Sequence, residues 1–166
     1  MAMKKHSFVE RLSLKAEDIL QIFSKAEAKE WEERWRAVYA ANGTAPALGQ
    51  FLWHTFSYAA YPSVCGEDAV QLYALHRDEE VIVLSNDRKT ALRVTALPIS
   101  DWAIDLYVFP SDLTWTMAFT HEDGWLGPYF AKHPDYAVRV EKTKRQRTAA
   151  ERKAAELSRA KQKGWI

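Results

Sequence analysis

Apolar residues recur at helical spacing over roughly the first half of the chain and at strand-like spacing over much of the second. Ile19, Ile22 and Phe23 form an apolar stripe that predicts a helix over residues 14–23. Trp31, Trp35 and Val38 recur at helical intervals in "AEAKEWEERWRAVYA", and Ser24 stands three residues before Glu27, the spacing of a capping box. A second helix is therefore expected over residues 26–40, closed by the turn chemistry of Asn42-Gly43 and by Pro46. The run "FLWHTFSY" (51–58) is apolar throughout, and periodicity leaves strand and buried helix open. Pro62 and Gly66 bracket a turn, and "EDAVQLYALH" (67–76) has the acidic first turn of a helix.

Beyond residue 79 the segments shorten and fill with β-branched and aromatic residues. Strands are predicted over 80–85, 91–97, 104–109 and 113–121, separated by Asn86-Asp87, by Pro98 and by Pro110-Ser111-Asp112. Connections this short do not accommodate parallel crossovers, so consecutive strands are expected to pair antiparallel as a meander with one face on the helices. Pro128 and Pro134 leave "YFAKH" one helical turn at most. Thr148 and Glu151 again have capping-box spacing, which predicts a helix to residue 163 whose thin stripe (Ala150, Ala154, Leu157) docks weakly or projects into solvent. The expected class is α+β: an antiparallel sheet of about four or five strands packed on amino-terminal helices, followed by a basic helix. The expected division is a domain over 1–138 and a helical tail over 139–166.

Composition narrows the class further. With 48% hydrophobic and 13% aromatic residues in 166, the chain has material for a real core. The start lacks the apolar centre of a secretory signal, and no window is apolar enough to span a bilayer, so a cytoplasmic location is expected. Cys65 is the single cysteine, which excludes an internal disulfide; without metal-ligand spacing around it, it is expected as a small buried or half-buried hydrophobe. Charge is uneven: residues 139–166 carry ten Lys or Arg against three Glu, net +7, so an overall +1 leaves −6 for the rest.

Candidate chemistry gathers around "LTWTMAFTHEDGWLGPYF" (113–130). Alternation puts Leu113, Trp115, Met117, Phe119 and His121 on one row, expected in the core, and Thr114, Thr116, Ala118 and Thr120 on a half-exposed face. His121 and the adjacent Glu122 point apart in extended chain, so a catalytic or metal site needs His54, Asp105 or Glu67 from elsewhere. A small metal-dependent or acid/base hydrolase using His54, His121 and Glu122 is one alternative, against structural histidines held by backbone or carboxylate. Ser57 lacks the glycines of a nucleophile elbow, and HExxH, P-loop and GxGxxG motifs are absent. Lys142, Lys144, Arg145 and Arg147 cluster in the tail and suit phosphates, which makes nucleic-acid binding a second alternative. The bland reading of the tail is a solvated helix resting on the acidic body or on a second copy, with Trp165 anchoring it. Trp102 and Trp125, beside Asp101, Asp105, Glu122 and Asp123, have the composition of a hot spot for a basic protein partner.

The blocks "FLWHTFSY", "GEDAVQLY" and "DLYVFPSDLTWTMAFTHEDGWLGPYF" resemble a family of small bacterial cytosolic proteins classed as a domain of unknown function, over about residues 51–130. The hairpin ending in "THE" is also similar to those of immunity proteins that neutralise polymorphic toxins. The resemblance implies an α+β fold, bacterial origin, no established catalytic residues and a role as a protein-binding inhibitor; no cofactor is expected, and a non-enzyme is expected over an enzyme. Together these expectations describe an immunity-type domain that contacts a toxin domain through Asp101, Trp102, Asp105, Glu122, Asp123 and Trp125.

Overall fold

The computed structural model describes residues 8–41, 50–98, 104–122 and 127–165. The chain divides into two compact units, Met1–His133 and Pro134–Ile166. The first holds a seven-stranded antiparallel sheet in the order β1-β4-β3-β5-β6-β7-β2. Its strands are β1 (Ile19–Ile22), β2 (Val64–Cys65), β3 (Val81–Ser85), β4 (Ala91–Val94), β5 (Leu106–Phe109), β6 (Trp115–Phe119) and β7 (Tyr129–Lys132). Its helices are α1 (Phe8–Arg11), α2 (Lys25–Tyr39), α3 (His54–Ser57) and α4 (Glu67–Ala74), and the second unit is the helix α5 (Tyr136–Gln162).

The α+β class stands, but the sheet has more strands than expected. Residues 14–23 supply a short 3-10 turn and edge strand β1 rather than a helix. β1 pairs with β4 (Ile19 opposite Val94, Ile22 opposite Leu92), with a bulge between Ile19 and Gln21. Leu20 and Ile22 consequently stay exposed, while Ile19 is half-buried and Phe23 packs onto Trp31. An apolar stripe in so short a segment fits both periods, and the free edge of β4 decides between them. "YFAK" is likewise a strand: β7 pairs with β6 on one side and β2 on the other, and the flanking prolines only bound it. The expected pairing of consecutive strands holds for β3–β4 and β5–β6. It fails for β4–β5, because β3 lies between them and pairs with β5 instead.

Central β3 is buried at every position, as a strand covered on both faces must be. On one face α2 presents Ala28, Trp31, Trp35 and Tyr39 to Ile82, Leu84, Tyr107, Phe109 and Ala118. The predicted capping box starts α2: Ser24 Oγ accepts from Glu27 N at 3.2 Å, and Glu27 accepts from Ser24 N at 2.7 Å. On the other face, Tyr73 in the last turn of α4 and His76 in the turn that follows it meet Trp115 (ring centroids 5.9 and 4.6 Å). The threonine row of β6 is therefore not half-exposed. Thr116 is fully buried on the α2 side, where it accepts a 2.9 Å bond from Trp35 Nε1 and donates to Val108 O at 3.3 Å. Both rows of β6 are core, because helices cover both faces of the sheet.

Helix α5 begins well before the expected Thr148, and Thr148 Oγ1 donates to Lys144 O inside it rather than capping it. No residue of α5 is buried. Trp165, expected as an anchor, is 72% exposed and lies under the Lys163 ammonium at 4.8 Å. Cys65 also departs from expectation: it is exposed, at the end of the short edge strand β2. Among the described residues, no helix is long and apolar enough to cross a membrane.

Candidate functional site

The apolar run 51–58 is neither a strand nor a long helix. It is a series of turns around the four-residue α3, clamped from beneath by β5. Tyr107 is buried and its hydroxyl accepts from Trp53 N at 3.1 Å while donating to Asn86 Oδ1 at 2.8 Å. Burial pushes the Tyr107 phenol far above its ordinary range, so it remains a neutral hydroxyl able to make both bonds. Thr55 Oγ1 donates to Tyr39 O at 2.6 Å, fixing the same turn to the end of α2. Phe51, Trp53 and His54 are thereby held over the end of the sheet where β5 begins and β6 ends.

At that end Asp105 precedes β5 and His121 follows β6. The Asp105 carboxylate accepts from Trp53 Nε1 at 3.0 Å and from His121 N at 3.0 Å. His121 Nδ1 lies 2.9 Å from each of its oxygens. A carboxylate only accepts, so this contact places the proton on Nδ1. His121 Nε2 is left toward solvent, 3.7 Å from Glu122 Oε1. The expectation that His121 and Glu122 point apart fails because residues 121–122 form a turn rather than continuing the strand. His121 also leaves the row to which alternation assigned it. Its ring packs on Phe51 (5.2 Å) and Trp53 (6.2 Å), and its side chain keeps 39% exposure.

His54 flanks the same two aromatics, with ring centroids 4.2 Å from Trp53 and 5.8 Å from Phe51, and meets exposed Tyr58 at 5.2 Å. Its Nδ1 is 2.8 Å from Ser57 Oγ, one helical turn away. Desolvation lowers the His54 pKa below its ordinary value, opposed by the charges of Glu122 and Asp105 and assisted by His121. Burial likewise raises the Tyr129 phenol, with the charges of Cys65 and Glu122 adding to the effect.

His54, Asp105, His121 and Glu122 are thus brought together from three separate stretches of chain. Asp105 turns its carboxylate inward, with 14% side-chain exposure, so it supports the surface rather than forming its outer layer. Asp101, Trp102, Asp123 and Trp125 lie outside the described residues. Lys142, Lys144, Arg145 and Arg147 belong to α5, in the other unit, where all four are exposed. Glu67, weighed as a partner for His121, lies in the first turn of α4. Sequence reasoning missed Phe51, Trp53 and Tyr58 as members of the site. The one available signal was the density of aromatics around His54, which equally describes a core segment. Among the described residues, no group of three or more His, Cys, Asp or Glu side chains is arranged to hold a metal ion. What the cluster offers chemically is a fixed imidazole nitrogen, an adjacent carboxylate and an aromatic floor of half-buried Phe51 and buried Trp53.

No curated protein and no solved structure matches the chain. Residues 3–130 match the family described as a domain of unknown function, DUF4275. The match reaches further toward the amino terminus than the blocks at 51–130 suggested, taking in α1, β1 and α2, while α5 falls beyond it. A match over that much of the 166 residues means that the chain belongs to the DUF4275 family.

Proposed function

We propose that this chain is a non-enzymatic protein-binding domain, an immunity-type inhibitor that neutralises a bacterial toxin domain by direct contact. The observation that carries the reading is the surface at the end of the sheet. There His121 and Glu122 stand exposed on a base fixed by Asp105, Trp53 and Tyr107, next to Phe51 and exposed Tyr58. Aromatic side chains with an acidic group on a rigid support suit a binding hot spot, because little rotamer freedom is lost when a partner docks. Acidic Glu122 beside them favours a basic face on the partner. Binding through this surface gives the aromatics of "FLWHTFSY" and the "THE" turn one shared role.

The test is purification of the tagged full chain from its native host at moderate salt, with partners identified by mass spectrometry. A stoichiometric toxin domain is the expected result. Glu122→Lys and Tyr58→Ala should each then weaken its affinity by about tenfold or more, equivalent to about 1.4 kcal/mol. Unchanged affinity in both variants would remove this surface from the interface.

A second reading draws on a specific observation. Asp105 orders His121 so that Nε2 faces outward, the arrangement of a general base supported by a carboxylate, and His54 stands across the same aromatics. A hydrolase of this kind would turn over ester, amide or phosphodiester model substrates and lose that activity in His121→Ala. No turnover above buffer would leave the binding reading alone.

A further inference from the structure

The helix α5 is continuous over 27 residues with no buried side chain, about 40 Å of rod at ~1.5 Å per residue. Tertiary packing, which stabilises most protein helices, contributes little to it; alanines 149, 150, 154 and 155 supply intrinsic helix preference instead. Ten Lys or Arg between Arg139 and Lys163 face three Glu in the same stretch. At about 100° per residue, the basic positions leave no sector of the helix wider than about 60° without a cation. The exposed apolar residues Val138, Val140 and Leu157 fall at unrelated angles and make no stripe.

That distribution discriminates among anionic partners. An anionic bilayer engages one side of a helix lying on it and rewards an apolar face, which α5 lacks. An acidic protein surface likewise meets one side. The major groove of B-form DNA differs: it is about 12 Å wide, admits a helix about 10–12 Å across, and carries a row of phosphates along each wall. A-form RNA closes its major groove to a helix. Cations on every side of a rod match a polyanion that surrounds it.

We propose that α5 docks in the major groove of double-stranded DNA, with its Lys and Arg side chains reaching the phosphates on both walls. The surplus of +7 over residues 139–166, against −6 for the rest of the chain, confines that attraction to the helical unit. The bonds are to backbone phosphates, so binding is independent of base sequence and steeply dependent on salt. The proposal stands apart from the surface at His121 and Glu122.

The test uses the full chain and fluorescence anisotropy with a labelled mixed-sequence DNA duplex of about 20 base pairs, longer than the roughly 12 that 40 Å spans. An RNA duplex of equal length and phosphatidylglycerol vesicles serve as the competing probes. The expected result is DNA binding that weakens by about 10³-fold or more between about 50 and 200 mM salt, the behaviour of a protein that neutralises some six phosphates. K142Q/K144Q/R145Q/R147Q should weaken it and flatten the salt slope by about 0.9 for each phosphate that is no longer neutralised. R152Q/K153Q/R159Q/K161Q should do the same farther along the rod. Glutamine has nearly the helix preference of lysine and arginine, so circular dichroism should show α5 intact in both variants. Absence of DNA binding at low salt, equal or tighter binding to RNA or to vesicles, or DNA binding unchanged in both variants would overturn the proposal.

Discussion

Asp105→Ala tests the support beneath the candidate surface. The carboxylate accepts from Trp53 Nε1, from His121 N and at His121 Nδ1, all at 2.9–3.0 Å. Trp53 is 1% exposed, so its indole N–H has no ready replacement by water. An orphaned buried donor costs about 1–3 kcal/mol, and hydrogen bonds to a charged acceptor lie toward the upper part of that range. The His121 groups are exposed and recover water, adding little. The alanine variant should therefore lose about 2–3 kcal/mol, which lowers the melting temperature by roughly 4–12 °C for a domain of this size. Asp105→Asn separates stability from orientation. Its amide oxygen still accepts from Trp53, so the loss should stay below about 1 kcal/mol, but its amide nitrogen donates, so the His121 proton moves from Nδ1 to Nε2. Urea unfolding measures the first effect and ¹⁵N chemical shifts of the imidazole the second. An alanine variant within about 0.5 kcal/mol of the parent, or His121 keeping Nδ1–H in the asparagine variant, would refute the reasoning, since such losses are characteristic of surface positions without partners.

Three further perturbations test other parts of the structure. Trp35 and Trp115 are both fully buried, but Trp35 Nε1 donates to Thr116 whereas Trp115 Nε1 has no partner among the described residues. Trp35→Phe should therefore cost about 1–2 kcal/mol more than Trp115→Phe in denaturant unfolding, and equal costs would contradict the bonding. The folded His54 pKa lies below its ordinary value of 6.5, so the unfolded chain binds the proton more readily. The stability contributed by neutral His54 is complete above about pH 6.5 and declines as pH falls toward the folded pKa. Glu122→Gln should lower that pKa further, because Glu122 raises it; an NMR titration of His54 moving upward in this variant would be the contrary result. Gly127 has φ +91°, and a Cβ there would lie 2.9 Å from the Thr120 methyl and 3.1 Å from the Tyr129 ring. Gly127→Ala should cost about 1–3 kcal/mol by thermal unfolding, whereas an unchanged midpoint would mean the backbone can leave this conformation freely.

Local chemistry determined the elements whose signals are local. The Ser24–Glu27 capping box, the three-and-four spacing of Trp31, Trp35 and Val38, the acidic start of α4 and the β-branched run of β3 each stabilise one conformation through neighbours within a few residues. These readings lie close to the observed elements, and the α+β class follows from their order. Segments with weak local preference were decided by their surroundings. β1 is extended because β4 offers a free edge, β2 because it pairs with β7, and β7 because it lies between β2 and β6. β4 and β7, the partners of β1 and β2, are distant from them in sequence. The same reason hid the second layer over the threonine row of β6: alternation shows that two faces exist, but not that α2 covers one and α4 the other.

The candidate site belongs to the second class. The sequence supplied His54, Asp105, His121 and Glu122 as chemically able residues, since residue type alone fixes what each can donate or accept. It did not supply their convergence, which depends on β5 lying beside β6 and on Tyr107 clamping the turns before α3 to the sheet. Charge in α5 is the opposite case. A helix with no buried residue keeps at its surface the charge pattern written in its sequence. The charge of α5 was therefore determined by the sequence alone, although the helix begins earlier than its capping-box spacing predicted, while the imidazole–carboxylate surface came into being only where the strands met.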